Sequence, residues 1–264
     1  MKNLIFTLVV AFTFLLVNLL RVFQLMFMTD STTGFYYESY ENISSIFTII
    51  SVIAIVAMLA LSILNKQKEK ITTPKPNAFL GISQIMLGVC LAIEPLFVND
   101  LPSTVPHALK TIKVVLIIIG GISFVVLGFL NFVDKTPNYI LLVVPTLSYV
   151  IRLLVTFLCY TGMSGIASNY YEIVNLCFIL GFLHFSSKIL CGVPGKRTEE
   201  LTRSFAYLTL ISASVCSIPT MITTIFGNVG VHLAVDSIIT NLFIVIYVIA
   251  FLVSKKQEPV IVEE

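Results

Sequence analysis

The chain has 264 residues, of which 57% are hydrophobic and 11% charged. Soluble domains carry roughly 25% charged residues, so a chain this apolar cannot cover a water-facing surface, and a multi-pass membrane protein is expected instead. The formal net charge of +2 comes with no basic cluster, which leaves no footprint for nucleic acid.

The first apolar run spans about Leu4 to Met28 behind Met1-Lys2-Asn3. It is too long for a signal-peptide core, contains Arg21 and lacks a small-residue cleavage site, so it reads as a retained helix. The second run, Ile43 to Leu64, is followed by Lys66, Lys68, Lys70 and Lys75, with Pro74 and Pro76 as breakers. The third spans Ala78 to Val98 and the fourth Lys110 to Val133. A tight turn, Asp134 to Asn138, precedes the fifth, Tyr139 to Tyr160. The sixth spans Tyr171 to Leu190, the seventh Phe205 to Phe226 and the eighth His232 to Val253. These runs are continuous and lack the alternation of barrel strands, so they are read as helices. The expected fold is an all-α integral membrane protein with eight transmembrane helices.

Basic residues orient the bundle. With the N-terminus inside, the inner segments hold Lys2, Lys66, Lys68, Lys70, Lys75, Lys135, Lys188, Lys196, Arg197, Arg203, Lys255 and Lys256, while the outer segments hold only Lys110 and Lys113. The asymmetry predicts both termini in the cytoplasm.

A pattern recurs at an offset of 131 residues: Arg21 with Arg152, Gly34 with Gly165, and Tyr40-Glu41 with Tyr171-Glu172. Lys66 with Arg197 and Phe47 with Phe178 fall on the same offset. Four helices per half is an even number, so a duplication would be parallel, related by an axis along the membrane normal. The expected organisation is one integral unit made of a first repeat, 1–135, and a second, 136–264.

Charge within a membrane helix costs about 2.5 to 3.5 kcal/mol at mid-membrane, so each instance needs a reason. Arg21 and Arg152 each lie about two turns, roughly 10 Å, below the outer end of their helix. Glu41 and Glu172 begin the returning helices, so hairpin geometry predicts Arg21–Glu41 and Arg152–Glu172 pairs. Glu94 and Asp236 are further acids near the outer ends of helices three and eight. Arg21, Gln24, Tyr40, Glu41, Glu94, Arg152, Tyr171, Glu172 and Asp236 are the candidate cavity and ligand-binding residues. The competing reading makes each arginine a clasp that closes its hairpin or snorkels to lipid phosphate.

Other features are read as structural. Ser212, Ser214, Cys216, Ser217, Pro219, Thr220, Thr223 and Thr224 make helix seven small and hydroxylated, which suits close helix packing. Gly81 and Gly88, and Gly120, Gly121 and Gly128, read the same way. His184 is read as a packing residue. The five cysteines are scattered, without a Cys-x-x-Cys spacing, and read as small hydrophobes. His107, His184 and His232 have no ligand spacing, and no catalytic or phosphate-loop motif occurs. No metal, cofactor or enzymatic activity is expected.

The string Leu20-Arg21-Val22-Phe23-Gln24-Leu25, followed by Asp30-Ser31-Thr32-Thr33-Gly34-Phe35, resembles the opening of uncharacterised multi-pass membrane proteins of clostridial-type Gram-positive bacteria. It covers the first helix and its loop. It implies a bacterial plasma membrane and no site chemistry, and it lowers the value of the outer-side glycosylation sequon Asn42-Ile43-Ser44. The leading functional expectation is a small-solute permease with an outward-facing polar cavity. The alternative is a membrane-embedded binding, sensor or assembly protein without transport. The expected partners are the lipid bilayer and a small-molecule ligand.

Overall fold

The computed structural model describes residues 2–30, 35–64, 77–97, 106–133, 135, 137–160, 167–193, 195, 197–226 and 235–254. Among these, the side chains of 2–7, 62–64, 97, 167–168 and 235–236 are not described. The described chain is helical: α1 Lys2–Phe23, α2 Glu41–Leu64, α3 Ala78–Phe97, α4 His107–Val133, α5 Tyr139–Tyr160, α6 Ala167–Leu190, α7 Thr198–Ile225 and α8 Val235–Val253. Seven are long and apolar enough to cross a membrane, as multi-pass membrane proteins require, and α8 contributes a shorter apolar stretch, Ser237–Val253.

Two helices begin a full turn or more earlier than hydropathy predicts. The seventh starts at Thr198 rather than near Phe205, because Glu199 and Glu200 occupy its first turn. Acids there meet the positive end of the helix dipole, and Glu199 accepts from Arg203 at 3.3 Å, one turn on. The sixth begins at Ala167, one turn before the apolar run, through Asn169 and Tyr170. The first helix passes into a π turn, Gln24–Met28. The Thr29 hydroxyl donates to the Gln24 carbonyl at 3.0 Å and closes that turn. A bridge between Thr29 and Tyr36, with Tyr37 N–H donating to the Met28 carbonyl at 3.0 Å, then folds the chain back towards α2.

Six helices form a closed ring in which α3, α4, α5, α6, α7 and α8 each pack on the next and α8 packs back on α3. The pair α1 and α2 lies outside this ring, against α7. Helix α7 is therefore the hub: 67% of its span is buried, against 22% for α2. Under the 131-residue offset α2 and α3 correspond to α6 and α7. The latter two pack along one another, whereas α2 and α3 have no comparable contact among the described residues.

The tightest seam joins α3 to α4. A Cβ on Gly88 would lie 2.5 Å from the Gly121 carbonyl oxygen, and one on Gly128 would lie 2.6 Å from the Gly81 carbonyl oxygen. No side chain fits between these backbones, so the glycines set the interhelical distance, as the small-residue pattern anticipates. Gly120 makes the corresponding approach to α5, where a Cβ would meet the Ser148 hydroxyl at 2.5 Å.

Three spanning helices carry internal prolines, Pro95, Pro145 and Pro219. The hydroxyls of α7 turn mostly onto its own backbone. Ser217 donates to the Ala213 carbonyl at 2.7 Å, Thr220 to Cys216 at 3.3 Å and Thr224 to Thr220 at 2.8 Å. Such back-bonding satisfies hydroxyls in an apolar setting.

Candidate functional site

The end of the bundle at which α1, α3, α5 and α7 finish and α2, α4, α6 and α8 start is here the upper end. Side chains from alternate helices of the ring meet across its interior in layers. Along α3, Gln84, Leu87, Leu91 and Glu94 are all buried. Their spacing of three and four residues puts them on one helical face.

The upper layer holds charge. Arg152 of α5 reaches past α4 to Glu94 of α3, its Nη1 lying 2.8 Å from Glu94 Oε2. The Thr240 hydroxyl of α8 donates to the same oxygen at 3.0 Å. This corrects the hairpin expectation for Arg152, which pairs with Glu94 rather than Glu172. The cause is rotational. Arg152 shares the buried face of α5 with Ser148, Tyr149 and Val155, and that face looks into the ring, where Glu94 also points. Glu172 instead accepts from the Tyr160 hydroxyl at 2.6 Å. It remains within electrostatic reach of Arg152. Lys113 of α4 lies within reach of Arg152, Glu94 and Glu172.

A second polar cluster occupies the same depth outside the ring, between α1, α2 and α6. Arg21 Nη1 donates to Gln24 Oε1 at 3.2 Å and to the Tyr36 hydroxyl at 3.2 Å. Its guanidinium carbon lies 4.6 Å from the centroid of the Tyr171 ring, a cation–π distance. Gln24 Nε2 continues the chain to the Ser44 carbonyl at 2.9 Å and the Thr48 hydroxyl at 3.2 Å. One turn below Arg21, Asn18 Nδ2 donates to the Ser214 hydroxyl of α7 at 2.9 Å. The Arg21–Glu41 pair is also corrected: Glu41 is exposed at the start of α2. The π turn keeps Arg21 and Gln24 on the side facing α2 and α6. Cys216 of α7 feels both Arg21 and Glu172, so the two clusters approach each other through that helix.

Below the charges comes an amide layer. The Ser212 hydroxyl of α7 donates to Asn175 Oδ1 at 2.9 Å, and Asn175 Nδ2 donates to Asn241 Oδ1 of α8 at 3.0 Å. An aromatic layer follows. Tyr247 of α8 lies edge-on to Phe124 of α4 at 5.6 Å and to Phe182 of α6 at 5.8 Å, with Leu87, Leu91 and Ile244 in the same core. Near the lower end, Asn131 of α4 donates to Gln84 of α3.

Of the candidate residues, Arg21, Gln24 and Tyr171 form one cluster, and Arg152 and Glu94 form the other, with Glu172 beside it. Tyr40 and Glu41 are exposed and join neither. Asp236 falls in the first turn of α8, and its side chain lies outside the described residues. Sequence reading missed Thr240, Asn175 and Asn241, which look like ordinary polar residues in apolar runs. It also missed Lys113, counted only as an outer-segment base. Its signal was spacing: Lys113 precedes Gly120 by two turns, and Leu109 precedes Lys113 by one. Gly120 and Leu109 both pack on α5, so Lys113 occupies the same face. Compared with protein-family models, curated proteins and solved structures, the chain matches none.

Proposed function

We propose that this chain is a small-solute permease whose solute site is the charged layer at the upper end of the ring. One observation carries the reading. Glu94, Arg152 and Glu172, from three different helices, are 7%, 5% and 8% exposed at a depth where lipid surrounds the bundle. Buried ion pairs are weak contributors to stability and are often replaceable by apolar residues at no loss. Charges retained at that cost in the membrane are functional by default.

The proposal includes eight crossings, α8 among them, with the upper end outside and both termini inside. The lysine and arginine asymmetry supports this orientation, and the resemblance of the first helix supports a bacterial plasma membrane. The duplication of 1–135 as 136–264 rests on the 131-residue recurrence alone. It puts an arginine at corresponding positions of α1 and α5, although the two halves pack differently.

A second reading, a binding or accessory protein without transport, draws on the layer of Phe124, Phe182 and Tyr247 beneath the charges. Reconstituted protein and a panel of small polar solutes separate the two. Saturable uptake that falls at least tenfold in Glu94→Gln supports the permease. Saturable binding without uptake supports the second reading. Absence of saturable binding across the panel overturns both.

A further inference from the structure

The charged layer holds donors that none of its own acceptors meets. An arginine side chain carries several N–H donors, yet among the described residues Arg152 makes one hydrogen bond, from Nη1 to Glu94. The Tyr149 hydroxyl, one turn below Arg152 on the same face of α5, is buried and has no hydrogen-bond partner among the described residues. Its ring lies 5.9 Å from the Arg152 guanidinium carbon. Lys113, one turn above, is partly buried on the α5-facing side of α4. It has no ion pair or hydrogen bond among the described residues, although Arg152, Glu94 and Glu172 are within electrostatic reach.

The two nearby acids balance the formal charge of Lys113 and Arg152, but among the described residues neither hydrogen-bonds Lys113 or Tyr149. Glu94 Oε2 already accepts from both Arg152 and Thr240, and Glu172 is engaged by Tyr160. A buried donor without an acceptor is destabilising. A solute without hydrogen-bond acceptors would leave all three groups unsatisfied. An oxyanion would meet them together, accepting from Lys113 and Tyr149 on either side of Arg152.

We propose that Lys113, Arg152 and Tyr149 form the seat of an oxyanion, a carboxylate or phosphate carried by the solute. This rests on the permease reading and names its substrate class. Glu94 then has a definite part: it holds the guanidinium of Arg152 in place and, with Glu172, offsets the two cations of the layer.

The test uses the full chain in neutral detergent, with inorganic phosphate and succinate as probes against chloride at equal ionic strength. The chain has no tryptophan and five cysteines, so melting is followed with a thiol-reactive dye. One or both probes are expected to raise the melting temperature of the unsubstituted protein saturably. The shift is expected to disappear in Lys113→Ala, to return in Lys113→Arg and to weaken in Tyr149→Phe. Mixed micelles with phosphatidylglycerol, against phosphatidylcholine, form the second arm. A Lys113-dependent shift with phosphatidylglycerol alone assigns the same seat to a lipid headgroup. No shift with any anion, or an equal shift in Lys113→Ala, overturns the proposal. Saturable binding of a cationic or neutral solute that persists in Lys113→Ala would overturn it while leaving the permease reading intact.

Discussion

Glu94→Gln tests the ion pair at the centre of the site. The charges approach to 2.8 Å, so at an effective dielectric of about 20 their gross attraction is roughly 6 kcal/mol. Desolvation takes back much of this, and removing one partner of a buried pair typically costs about 3 to 5 kcal/mol, because the other charge is stranded. The substitution keeps the shape of the side chain and leaves the Thr240 contact an acceptor, so the expected loss is near the lower figure, about 3 kcal/mol. Stability is measured by detergent-driven unfolding in mixed micelles, with helix content read by circular dichroism. Combining Glu94→Gln with Arg152→Met should recover much of the loss, giving a coupling energy of about 2 kcal/mol. The matched cycle of Arg152→Met with Glu172→Gln should give less than half as much, since Glu172 has Tyr160 for its partner. Coupling to Glu172 that equals or exceeds coupling to Glu94 would refute the geometry argued for the upper layer.

Four further outcomes follow from the packing. Gly88→Ala should destabilise the α3–α4 seam by about 1 to 3 kcal/mol, the usual range for overpacking, because the new methyl meets backbone at 2.5 Å; Gly195→Ala, where the nearest atom is a side-chain hydroxyl at 3.3 Å, should cost less in the same unfolding assay. Asn241→Leu should cost about 0.6 to 2 kcal/mol, the range for interhelical hydrogen bonds in membranes, and Asn175→Leu on that background should cost little more. Glu41→Gln should change stability by less than about 0.5 kcal/mol, as for other surface positions, whereas Arg21→Met should be markedly destabilising. Single cysteines at Tyr37 and Val193, in a cysteine-free background, should label from outside and from inside respectively; the reverse pattern would invert the topology.

How much of this could be read in advance depended on what each feature owes to its own helix. Element positions were legible because apolar runs and prolines act locally, and α5 was found at the predicted residues, Tyr139–Tyr160. The glycine seam was legible because close approach has one chemical solution. The start of α7 was not, since Glu199, Glu200 and Arg203 look like loop residues until the helix dipole and the pairing one turn apart are considered. The depth of Arg152 and Glu94 was readable from their distance to helix ends, but their pairing was not. It depends on which way α3 and α5 are rotated and on the ring that sets α3 across from α5. Hairpin neighbours are the default guess, and the default fails where a long side chain crosses an interior. Arg21 departs for a different reason: the π turn after Phe23 carries Gln24 and Tyr36 to it before Glu41 is in reach.

Transport imposes a requirement on α8 that static binding does not. Three layers of the ring interior pass through this helix: Thr240 holds Glu94, Asn241 holds Asn175, and Tyr247 stands between Phe124 and Phe182. About 10 Å of helix separates Thr240 from Tyr247 at 1.5 Å per residue. A solute leaving the charged layer downwards must therefore part the aromatic layer, and α8 is the element whose displacement opens it while loosening Glu94 above. Tethering Phe124→Cys to Tyr247→Cys with a short thiol-specific cross-linker, in a cysteine-free background, tests this directly. For a permease, the tether should abolish uptake, a cleavable linker should restore it on reduction, and binding at the charged layer should be preserved. Uptake that continues at the same rate through the tethered protein would refute a path past Tyr247. Binding with no uptake in either state would leave the charged layer as a receptor site above a permanently filled core.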